Sequence, residues 1–353
     1  MTSPMTRVLV VGCGALGGTF AGLLTESTPA EVVALSRNRA IVEAVNRGGF
    51  RLRGREPARE VPGRAIDSLD GEAPFDRVIL ATQPTEVEDA ARSAQPWLAD
   101  DGVMVVLQNG LCEERVATIV GAERVVGAIV AFGASTPEPG VFVRTSDGGI
   151  TLGRIGASKR DATLESLATL FQPIGPTQIA TNFRGARWSK LAINCVISTL
   201  GTLAGCELGK YIRSTEGRHL ALEIITETVR VAAAEGIALE KVSGTLDLDW
   251  MALTDDELRG RRRPSLAAKH AMLLAVGARY RRLRSSMLAA IERGRPPAID
   301  YLNGEVVTRG VKHSVPTPVN ARAVEMVHDL AAGRRKAGMH FVEELAKVSV
   351  RSG

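Results

Sequence analysis

The chain has 353 residues, of which 45% are hydrophobic and 24% are charged, and its formal net charge at pH 7 is +5. This length exceeds one ordinary hydrophobic core, so we expect two domains, and the composition is that of a globular protein rather than a disordered or fibrous one. The modest charge and an aromatic content of 4% argue against nucleic acid as a partner, because nucleic-acid binding relies on strongly basic surfaces and stacking side chains.

The first predicted element is a dinucleotide-binding turn near the N-terminus. Residues 8–11 form an apolar, β-branched run typical of a buried parallel strand, and an apolar helix is predicted over residues 19–24. Between them, Gly12, Gly14 and Gly17 have the spacing G-x-G-x-x-G. The first glycine permits the tight turn, the second lets the backbone approach a pyrophosphate, and the third lets helix and strand pack closely. The helix N-terminus attracts phosphate groups. A glycine-rich turn without a ligand is the alternative.

The residues after the second predicted strand, Glu31–Leu35, indicate which dinucleotide is bound. In an NAD site, an acidic residue at this place binds the ribose 2′-hydroxyl group. Here the strand is followed by Ser36 and Arg37. Arg37 could pair with a 2′-phosphate through two hydrogen bonds, and Ser36 could add another. We therefore expect NADP(H), with a surface arginine that binds no ligand as the alternative.

The first half of the chain alternates between strand and helix patterns. A short helix is predicted over residues 40–47, and further strands are predicted at 77–81, 102–107, 125–131, 140–144 and 149–152. This alternation predicts an α/β domain with a doubly wound parallel sheet of the Rossmann type. The last two segments are expected to finish that sheet as antiparallel strands.

Helical periodicity dominates the second half of the chain, from about residue 161. The predicted helices cover residues 188–203, 219–234, 266–283, 301–312 and 320–336. We therefore predict a Rossmann-type, NADP-binding domain over residues 1–180 and an all-helical domain over residues 181–353. Residues 259–284 are rich in arginine, and we interpret them as a solvated helix face and loop because no aromatic residues accompany the positive charges.

The cysteines and histidines give no indication of a metal site. The four cysteines have no metal-ligand spacing, and the five histidines neither cluster nor pair with them. The N-terminal residues lead directly into a strand, and no apolar run is long enough to cross a bilayer. These features predict a cytoplasmic protein with reduced thiols and no membrane partner.

The most suggestive segment for catalysis is W-S-K-L-A-I-N-C, residues 188–195. On a helix, Lys190 and Asn194 are four residues apart and share one face. An ammonium group among apolar residues would have a lowered pKa and be a better proton donor near neutrality. A lysine that extends from a core helix to water is the alternative.

Two other segments carry polar residues that could bind a substrate. Asn109 lies in the turn L-Q-N-G at the carboxyl end of a strand, where open α/β sheets bind ligands, although asparagine before glycine is also common in ordinary turns. Residues 284–287, R-S-S-M, precede a helix and are followed by I-D-Y-L-N-G at 299–304. Serines at such a junction are often only helix caps.

Together these segments resemble the ketopantoate reductase (2-dehydropantoate 2-reductase) family, in the same order and over nearly the whole chain. The resemblance includes the G-x-G-A-x-G loop, Arg37 at the end of the second strand, and the L-Q-N-G turn. It continues through W-S-K-L-A-I-N-C, S-S-M-L and I-D-Y-L-N-G to V-P-T-P-V-N.

The resemblance implies a Rossmann domain, a helical domain and an active site between them, where NADPH reduces a 2-oxo acid to a 2-hydroxy acid. The catalytic lysine of the family corresponds to Lys190, which would protonate or polarise the substrate carbonyl oxygen. Substrate-binding positions correspond to Asn109, Asn194 and, for the substrate carboxylate, Ser286. The cofactor would contact Gly12, Gly14, Ala15, Leu16, Gly17, Arg37, Gln83 and Asn109. The helical domain could also present a homodimer face.

Two positions depart from the family pattern. Ala298 stands where the family has a glutamate that binds the hydroxyl group of ketopantoate, and Gln83 stands where it has a lysine near the cofactor. Losing a hydrogen bond to a substrate hydroxyl commonly costs ~1–3 kcal/mol. The substrate is therefore predicted to be a 2-oxo acid, either ketopantoate itself or a related carbonyl compound that lacks this hydroxyl group. Asp300 and Asn303 are nearby candidates to replace the missing carboxylate. The alternative function is a nucleotide-binding paralogue without turnover, acting as a sensor or structural protein.

Overall fold

The structure, a computed structural model, describes residues 5–55, 57–156, 160–242, 244–259, 261 and 263–351. The chain divides into two compact units. The first comprises Met1–Gln108 and Cys112–Arg184, and the second comprises Asn109–Leu111 and Gly185–Gly353. The three residues Asn109–Leu111 of the L-Q-N-G-L turn therefore belong to the second unit, although the chain on either side of them lies in the first.

The first unit is built on an eight-stranded sheet with the order β12-β11-β8-β7-β6-β1-β2-β5. All neighbours in it are parallel except β8 and β11, which are antiparallel. The strands of this unit are β1 (Arg7–Val11), β2 (Glu31–Leu35), β3 (Phe50–Gly54), β4 (Arg59–Val61), β5 (Arg64–Ile66), β6 (Phe75–Leu80), β7 (Leu98–Val106), β8 (Val125–Val130), β9 (Ala134–Ser135), β10 (Val141–Arg144), β11 (Ile150–Gly153) and β12 (Thr177–Ile179). Its helices are α1 (Ala15–Ser27), α2 (Arg39–Gly48), α3 (Val87–Ala94), α4 (Cys112–Val120) and α5 (Ala162–Phe171).

The central strands are apolar and buried towards their C-terminal ends because both faces of the sheet are covered. Val8, Leu9 and Val10 of β1 are fully buried, as are Val78 and Ile79 of β6. Continuous burial of this kind is typical of parallel sheets with helices on both sides. The predicted doubly wound α/β fold is confirmed, and so is the antiparallel pairing of residues 149–152.

The prediction that residues 140–144 extend the main sheet is wrong. β10 belongs to a second, four-stranded sheet with the order β4-β3-β10-β9, in which it pairs in parallel with β3. The sequence pattern shows that a strand buries one face, but it does not identify the strand's partner. Here the buried face carries Phe142, whose ring packs against the backbone of α1 at Gly18.

The second unit is helical, and α8 lies at its centre, in contact with α9, α11, α13, α14 and α15. Its helices are α6 (Phe183–Ala204), whose first two residues belong to the first unit, α7 (Leu208–Tyr211), α8 (Thr215–Ala234), α9 (Leu248–Met251), α10 (Asp255–Leu258), α11 (Pro264–Arg279), α12 (Ser286–Glu292), α13 (Asn303–Lys312), α14 (Pro318–Ala331) and α15 (Met339–Arg351). Among the described residues, no helix is long and apolar enough to cross a membrane.

Two predicted helices are too long at their C-terminal ends. The helix predicted over residues 266–283 ends at Arg279, and the helix predicted over 320–336 ends at Ala331, with α15 as a separate helix after it. Gly333 has a φ of +71°, a conformation that commonly follows the end of a helix.

Candidate functional site

The first and third glycines of the loop after β1 are required by the packing of the chain itself. Gly12 has a φ of +96°, and a Cβ atom there would lie 2.9 Å from the backbone nitrogen of Thr82. A Cβ atom at Gly17 would collide with the carbonyl oxygen of Gly12. These two glycines bring β1, α1 and the end of β6 together, which is the close approach that the sequence predicts.

Gly14 differs, because a Cβ atom there would meet no protein atom within 4 Å. It is the N-cap residue of α1 and provides no side-chain oxygen to the N–H groups of the first turn, which includes Ala15, Leu16 and Gly17. A helix N-terminus with this open approach suits a phosphate group, since the N–H groups and the helix dipole both favour an anion. The loop therefore fits a pyrophosphate.

If the loop holds a dinucleotide, replacing Gly14 with alanine should weaken its binding about tenfold or more, equivalent to about 1.4 kcal/mol, and change thermal stability little. The added methyl group meets no protein atom but occupies the approach of the phosphates.

Gly17→Ala should instead lower the midpoint of thermal unfolding, because overpacking against backbone costs ~1–3 kcal/mol. Gly48→Ala, at an exposed helix end, is the control. Calorimetry and NADPH titration measure both effects, and normal NADPH binding by Gly14→Ala would contradict a pyrophosphate at this loop.

The residues after β2 lie where the sequence places a 2′-phosphate site, and both arginines there have acidic partners. Arg37, with 81% of its side chain exposed, forms a salt bridge with Glu86. Arg39 lies 3.6 Å from Asp67. Ser36 is buried, and its hydroxyl accepts a hydrogen bond from the backbone of Asn38.

Gln83 lies at the carboxyl end of β6, immediately before a 3-10 turn, Pro84–Glu86. Its side chain is exposed, and its backbone N–H donates to the Glu86 carboxylate over 3.4 Å. Glu86 thus contacts two of the predicted cofactor-binding residues, Arg37 and Gln83. Glu86 itself was not predicted from the sequence, where its local signal was the spacing Q-P-T-E, which is typical of a capped turn.

In the second unit, α6 presents Lys190 and Asn194 on one face, one turn apart. Lys190 is half-buried, and Ser189 beside it is buried and hydrogen-bonded to the backbone of Glu240. The side-chain nitrogen of Asn194 is buried and has no hydrogen-bond partner among the described residues. Because an unsatisfied buried amide is costly, it is typical of a group that bonds to a ligand.

The turn with Asn109 and Gly110 packs against the 3-10 turn Ile299–Tyr301 of the same unit. Gly110 has a φ of +95°, and a Cβ atom there would collide with the carbonyl oxygen of Tyr301. Leu111 is buried in the core that also contains Trp188 of α6. The structure thus places the Asn109–Gly110 turn beside the Ile299–Tyr301 turn within the second unit.

Ser285 and Ser286 have different roles. Ser285 is the buried N-cap of α12, and its hydroxyl donates to the carbonyl oxygen of Ser198, one turn after Asn194 on α6. It also lies 2.8 Å from the hydroxyl of Thr202. Ser286, the first residue of α12, is exposed. Ser285 therefore fixes α12 on α6, and Ser286 remains accessible to a ligand.

The sequence suggests Asp300 and Asn303 as replacements for the missing glutamate, and Asn303 cannot have this role. Asn303 is fully buried; its amide donates to Asn320 at 2.8 Å and to the Cys195 carbonyl at 3.3 Å, and it accepts from Thr199 at 2.5 Å. Asp300 is exposed and lies 2.9 Å from Nε2 of His328. Ala298, directly before the 3-10 turn, is partly buried.

The Asn303 contacts belong to a buried polar network that holds the turn after Asn194. Asn320 also donates to Glu227 of α8 at 2.6 Å, and Glu227 accepts the backbone N–H groups of Val319 and Asn320 at 2.9 Å. Burial raises the pKa of Glu227 to about 7, although these hydrogen bonds favour its charged form. Asn303 in turn bonds to Thr199 and to the Cys195 carbonyl, so the network connects α8, α14 and α13 to α6. This network could not be predicted from the sequence because its members lie far apart in the chain.

Two arginines of the arginine-rich stretch form local ion pairs. Arg261 and Arg263 both pair with Asp256, and Arg262 lies outside the described residues. Nowhere in the described ranges do three or more histidine, cysteine, aspartate or glutamate side chains converge in a way that could hold a metal ion.

Comparisons with known proteins cover almost the whole chain. A family model described as "Ketopantoate reductase PanE/ApbA" matches residues 8–157, and its "C terminal" counterpart matches residues 182–331. A 2-dehydropantoate 2-reductase of Pyrococcus horikoshii is 27% identical over 315 residues, which cover 89% of this chain and 94% of that protein.

Solved structures of similar proteins show the same fold. A ketopantoate reductase of Ralstonia eutropha JMP134 aligns with a TM-score of 0.77 and 23% identity over 94% of this chain and all of that one. D-mandelate dehydrogenase, solved with NADH and anilino(oxo)acetate, aligns with a TM-score of 0.78 and 20% identity over 93% of this chain and 99% of that one. A Staphylococcus aureus ketopantoate reductase described as dimeric aligns with a TM-score of 0.69 and 18% identity over 93% of this chain and all of that one.

Proposed function

The chain belongs to the ketopantoate reductase family, and we propose on that basis that it reduces a 2-oxo acid to a 2-hydroxy acid with a nicotinamide cofactor, NADPH. The observation that carries this proposal is the face of α6 on which Lys190 stands one turn from the buried, unsatisfied amide of Asn194. If α6 bound no ligand, we would expect the side-chain nitrogen of Asn194 to have a hydrogen-bond partner within the protein, or an apolar residue to stand in its place.

In this proposal the chain binds the cofactor through the loop after β1 and the end of β2. Gly12, Gly14, Ala15, Leu16 and Gly17 would hold the pyrophosphate, Arg37 would hold the 2′-phosphate, and Gln83 and Asn109 would lie near the cofactor. Support comes from the open approach at Gly14 and the exposed guanidinium of Arg37. When bound, the reduced nicotinamide supplies the hydride.

Lys190 would act on the substrate carbonyl oxygen. As hydride reaches the carbonyl carbon, negative charge develops on that oxygen, and the ammonium group of Lys190 would stabilise the charge and donate a proton. The amide of Asn194 would donate a hydrogen bond to the substrate, Asn109 would contact substrate or cofactor, and Ser286 would bind the substrate carboxylate. Ser285 cannot replace Ser286 in this role because its hydroxyl is already bonded to α6.

The preferred substrate is proposed to be a 2-oxo acid without the hydroxyl group of ketopantoate. The side chain of Ala298 has no atom that could accept a hydrogen bond from the substrate. The side-chain amide of Asn303 is bonded within the second unit, and Asp300 pairs with His328. A D-mandelate dehydrogenase of the same fold was solved with NADH and anilino(oxo)acetate, a compound without that hydroxyl group.

The test compares NADPH oxidation with ketopantoate and with 2-oxoisovalerate, which lacks only the hydroxyl group and its carbon. We expect kcat/KM for 2-oxoisovalerate to equal or exceed that for ketopantoate. Ala298→Glu should raise kcat/KM for ketopantoate alone by about 5- to 150-fold, the equivalent of a regained hydrogen bond of ~1–3 kcal/mol. Ala298→Met, which adds bulk without an acceptor, is the control.

Two results would contradict this assignment. Family-like use of ketopantoate, with no gain in Ala298→Glu, would rule out the shifted substrate. NADPH binding without turnover of any 2-oxo acid in a broad panel would favour the paralogue without catalysis.

A homodimer, suggested by the dimeric S. aureus relative, is proposed for this chain too and would be measured by light scattering.

A further inference from the structure

We propose that Glu86 weakens the preference of this chain for NADPH over NADH, because it competes with the 2′-phosphate for Arg37. Within the first unit, the Glu86 carboxylate forms a salt bridge with the Arg37 guanidinium. A 2′-phosphate must replace this carboxylate on Arg37. The inference rests on the proposed function only in that it takes the loop after β1 as the dinucleotide site.

Glu86 is the fixed member of the pair. One of its carboxylate oxygens contacts Arg37, and the other accepts the backbone N–H of Gln83 at 3.4 Å. It ends the 3-10 turn and leads directly into α3, and 39% of its side chain is exposed, compared with 81% for Arg37. When a phosphate arrives, Arg37 can turn towards it, whereas Glu86 stays beside its own turn. The carboxylate therefore remains a negative neighbour of the bound phosphate.

The local charges leave no excess of positive charge to offset this repulsion. The two arginines after β2, Arg37 and Arg39, face two acidic residues, Glu86 and Asp67. Gln83, at the end of β6, is uncharged. Since a 2′-phosphate carries close to two negative charges and a ribose hydroxyl carries none, only the phosphorylated nucleotide is affected by this balance.

Removing the charge of Glu86 should therefore strengthen binding of the phosphorylated nucleotide alone. At a separation of ~6 Å in water, a carboxylate and a phosphate dianion repel each other enough to change affinity by about tenfold. Glu86→Gln keeps an acceptor for the N–H of Gln83, and glutamine is as suitable as glutamate at this position of a capped turn. The variant thus changes charge while preserving the fold.

The experiment is isothermal titration calorimetry of the full chain with 2′,5′-ADP and with 5′-AMP, which differ by the 2′-phosphate. We expect Glu86→Gln to bind 2′,5′-ADP about tenfold more tightly than the wild type and to bind 5′-AMP equally well. The gain should decrease in high salt. Glu88→Gln, which removes the same charge from a neighbouring position that pairs with Arg115, should change neither affinity.

A second variant keeps the inference falsifiable on its own. Arg37→Ala should reduce the affinity for 2′,5′-ADP to that for 5′-AMP, and unchanged 2′,5′-ADP affinity in this variant would overturn the role of both residues. Equal effects of Glu86→Gln on the two nucleotides, or no effect on either, would also overturn it. If the wild type binds neither nucleotide, the dinucleotide site itself is wrong. Failure to turn over 2-oxo acids would contradict the proposed function and leave this inference intact.

Discussion

Lys190→Met is expected to lower kcat for reduction of a 2-oxo acid by about 10²- to 10⁴-fold, the usual contribution of a positioned general acid. NADPH affinity should not change, because the proposed cofactor contacts are made mainly by the first unit and Asn109, while Lys190 lies on α6. Steady-state kinetics and NADPH titration measure the two quantities separately.

The variant should fold normally because neighbouring residues hold α6 in place independently of Lys190. Ser189 bonds to the backbone of Glu240, Asn303 to the carbonyl of Cys195, and Ser285 to the carbonyl of Ser198. These contacts lie before and after the substituted position. A loss of activity with an unchanged unfolding midpoint can therefore be assigned to the missing ammonium group.

Lys190→Arg separates proton donation from charge stabilisation. An arginine keeps the positive charge, but its pKa, above about 12, makes it a poor proton donor. If Lys190 donates a proton, Lys190→Arg should be nearly as slow as Lys190→Met; if charge alone matters, it should recover much of the rate. Lys347→Met, an exposed lysine on α15, is the control and should keep full activity. Wild-type kcat in Lys190→Met would exclude Lys190 from the chemistry.

The sequence was sufficient where the determining contacts are local. The glycine spacing of the loop after β1, the approach of Gly17 to the Gly12 carbonyl oxygen and the shared face of Lys190 and Asn194 each depend on residues that are near one another in the chain or in one helix. The order of strands and helices followed from hydrophobic periodicity for the same reason. These features could be predicted without knowing how distant segments pair.

Contacts between distant segments could not be predicted in this way. Glu86 and Arg37 are 49 residues apart, and Thr199 and Asn303 are 104 residues apart. Nothing in their local spacing shows that Glu86 pairs with Arg37, the arginine predicted to bind a phosphate. Nor does it show that Thr199 bonds to the side-chain amide of Asn303, which was suggested as a substrate contact. The pairing of β10 with β3 was missed for the same reason, since a strand pattern carries no information about its partner.

A stability prediction follows from the buried ion pair between α10 and α11 in the second unit. Lys269→Met is expected to lower the free energy of unfolding of this unit by about 3–5 kcal/mol. The ammonium of Lys269 lies 2.6 Å from the Glu257 carboxylate, and their side chains are 3% and 0% exposed. Lys269 also donates to the carbonyl oxygen of Ala252 at 2.7 Å. Without the lysine, a buried carboxylate loses its countercharge while the other hydrogen bonds still hold it in place.

The pH dependence of this loss follows from the pKa of Glu257. Burial alone would raise that pKa, but hydrogen bonds from Lys269 and Ser265 lower it to about 2. Because the folded pKa lies below the usual value of about 4.5, the pair stabilises the wild type above that pH and loses its effect as pH falls towards 2. The stability difference between wild type and Lys269→Met should therefore be largest at neutral pH and decrease in acid, where the variant can protonate Glu257.

The double variant Lys269→Met/Glu257→Gln decides whether the charge or the packing causes the loss. Replacing both members removes the unpaired charge, so most of the lost stability should return, as replacement of buried ion pairs is often neutral. Lys312→Met removes an exposed lysine whose partner, Glu235, is buried but also contacts Arg309 and His313, so it should cost less than about 1 kcal/mol. Denaturant unfolding followed by tryptophan fluorescence suits the measurement, because Trp188 and Trp250 both lie in the second unit. If the double variant is no more stable than Lys269→Met, the lysine acts through its methylene packing, and α11 is not held by charge.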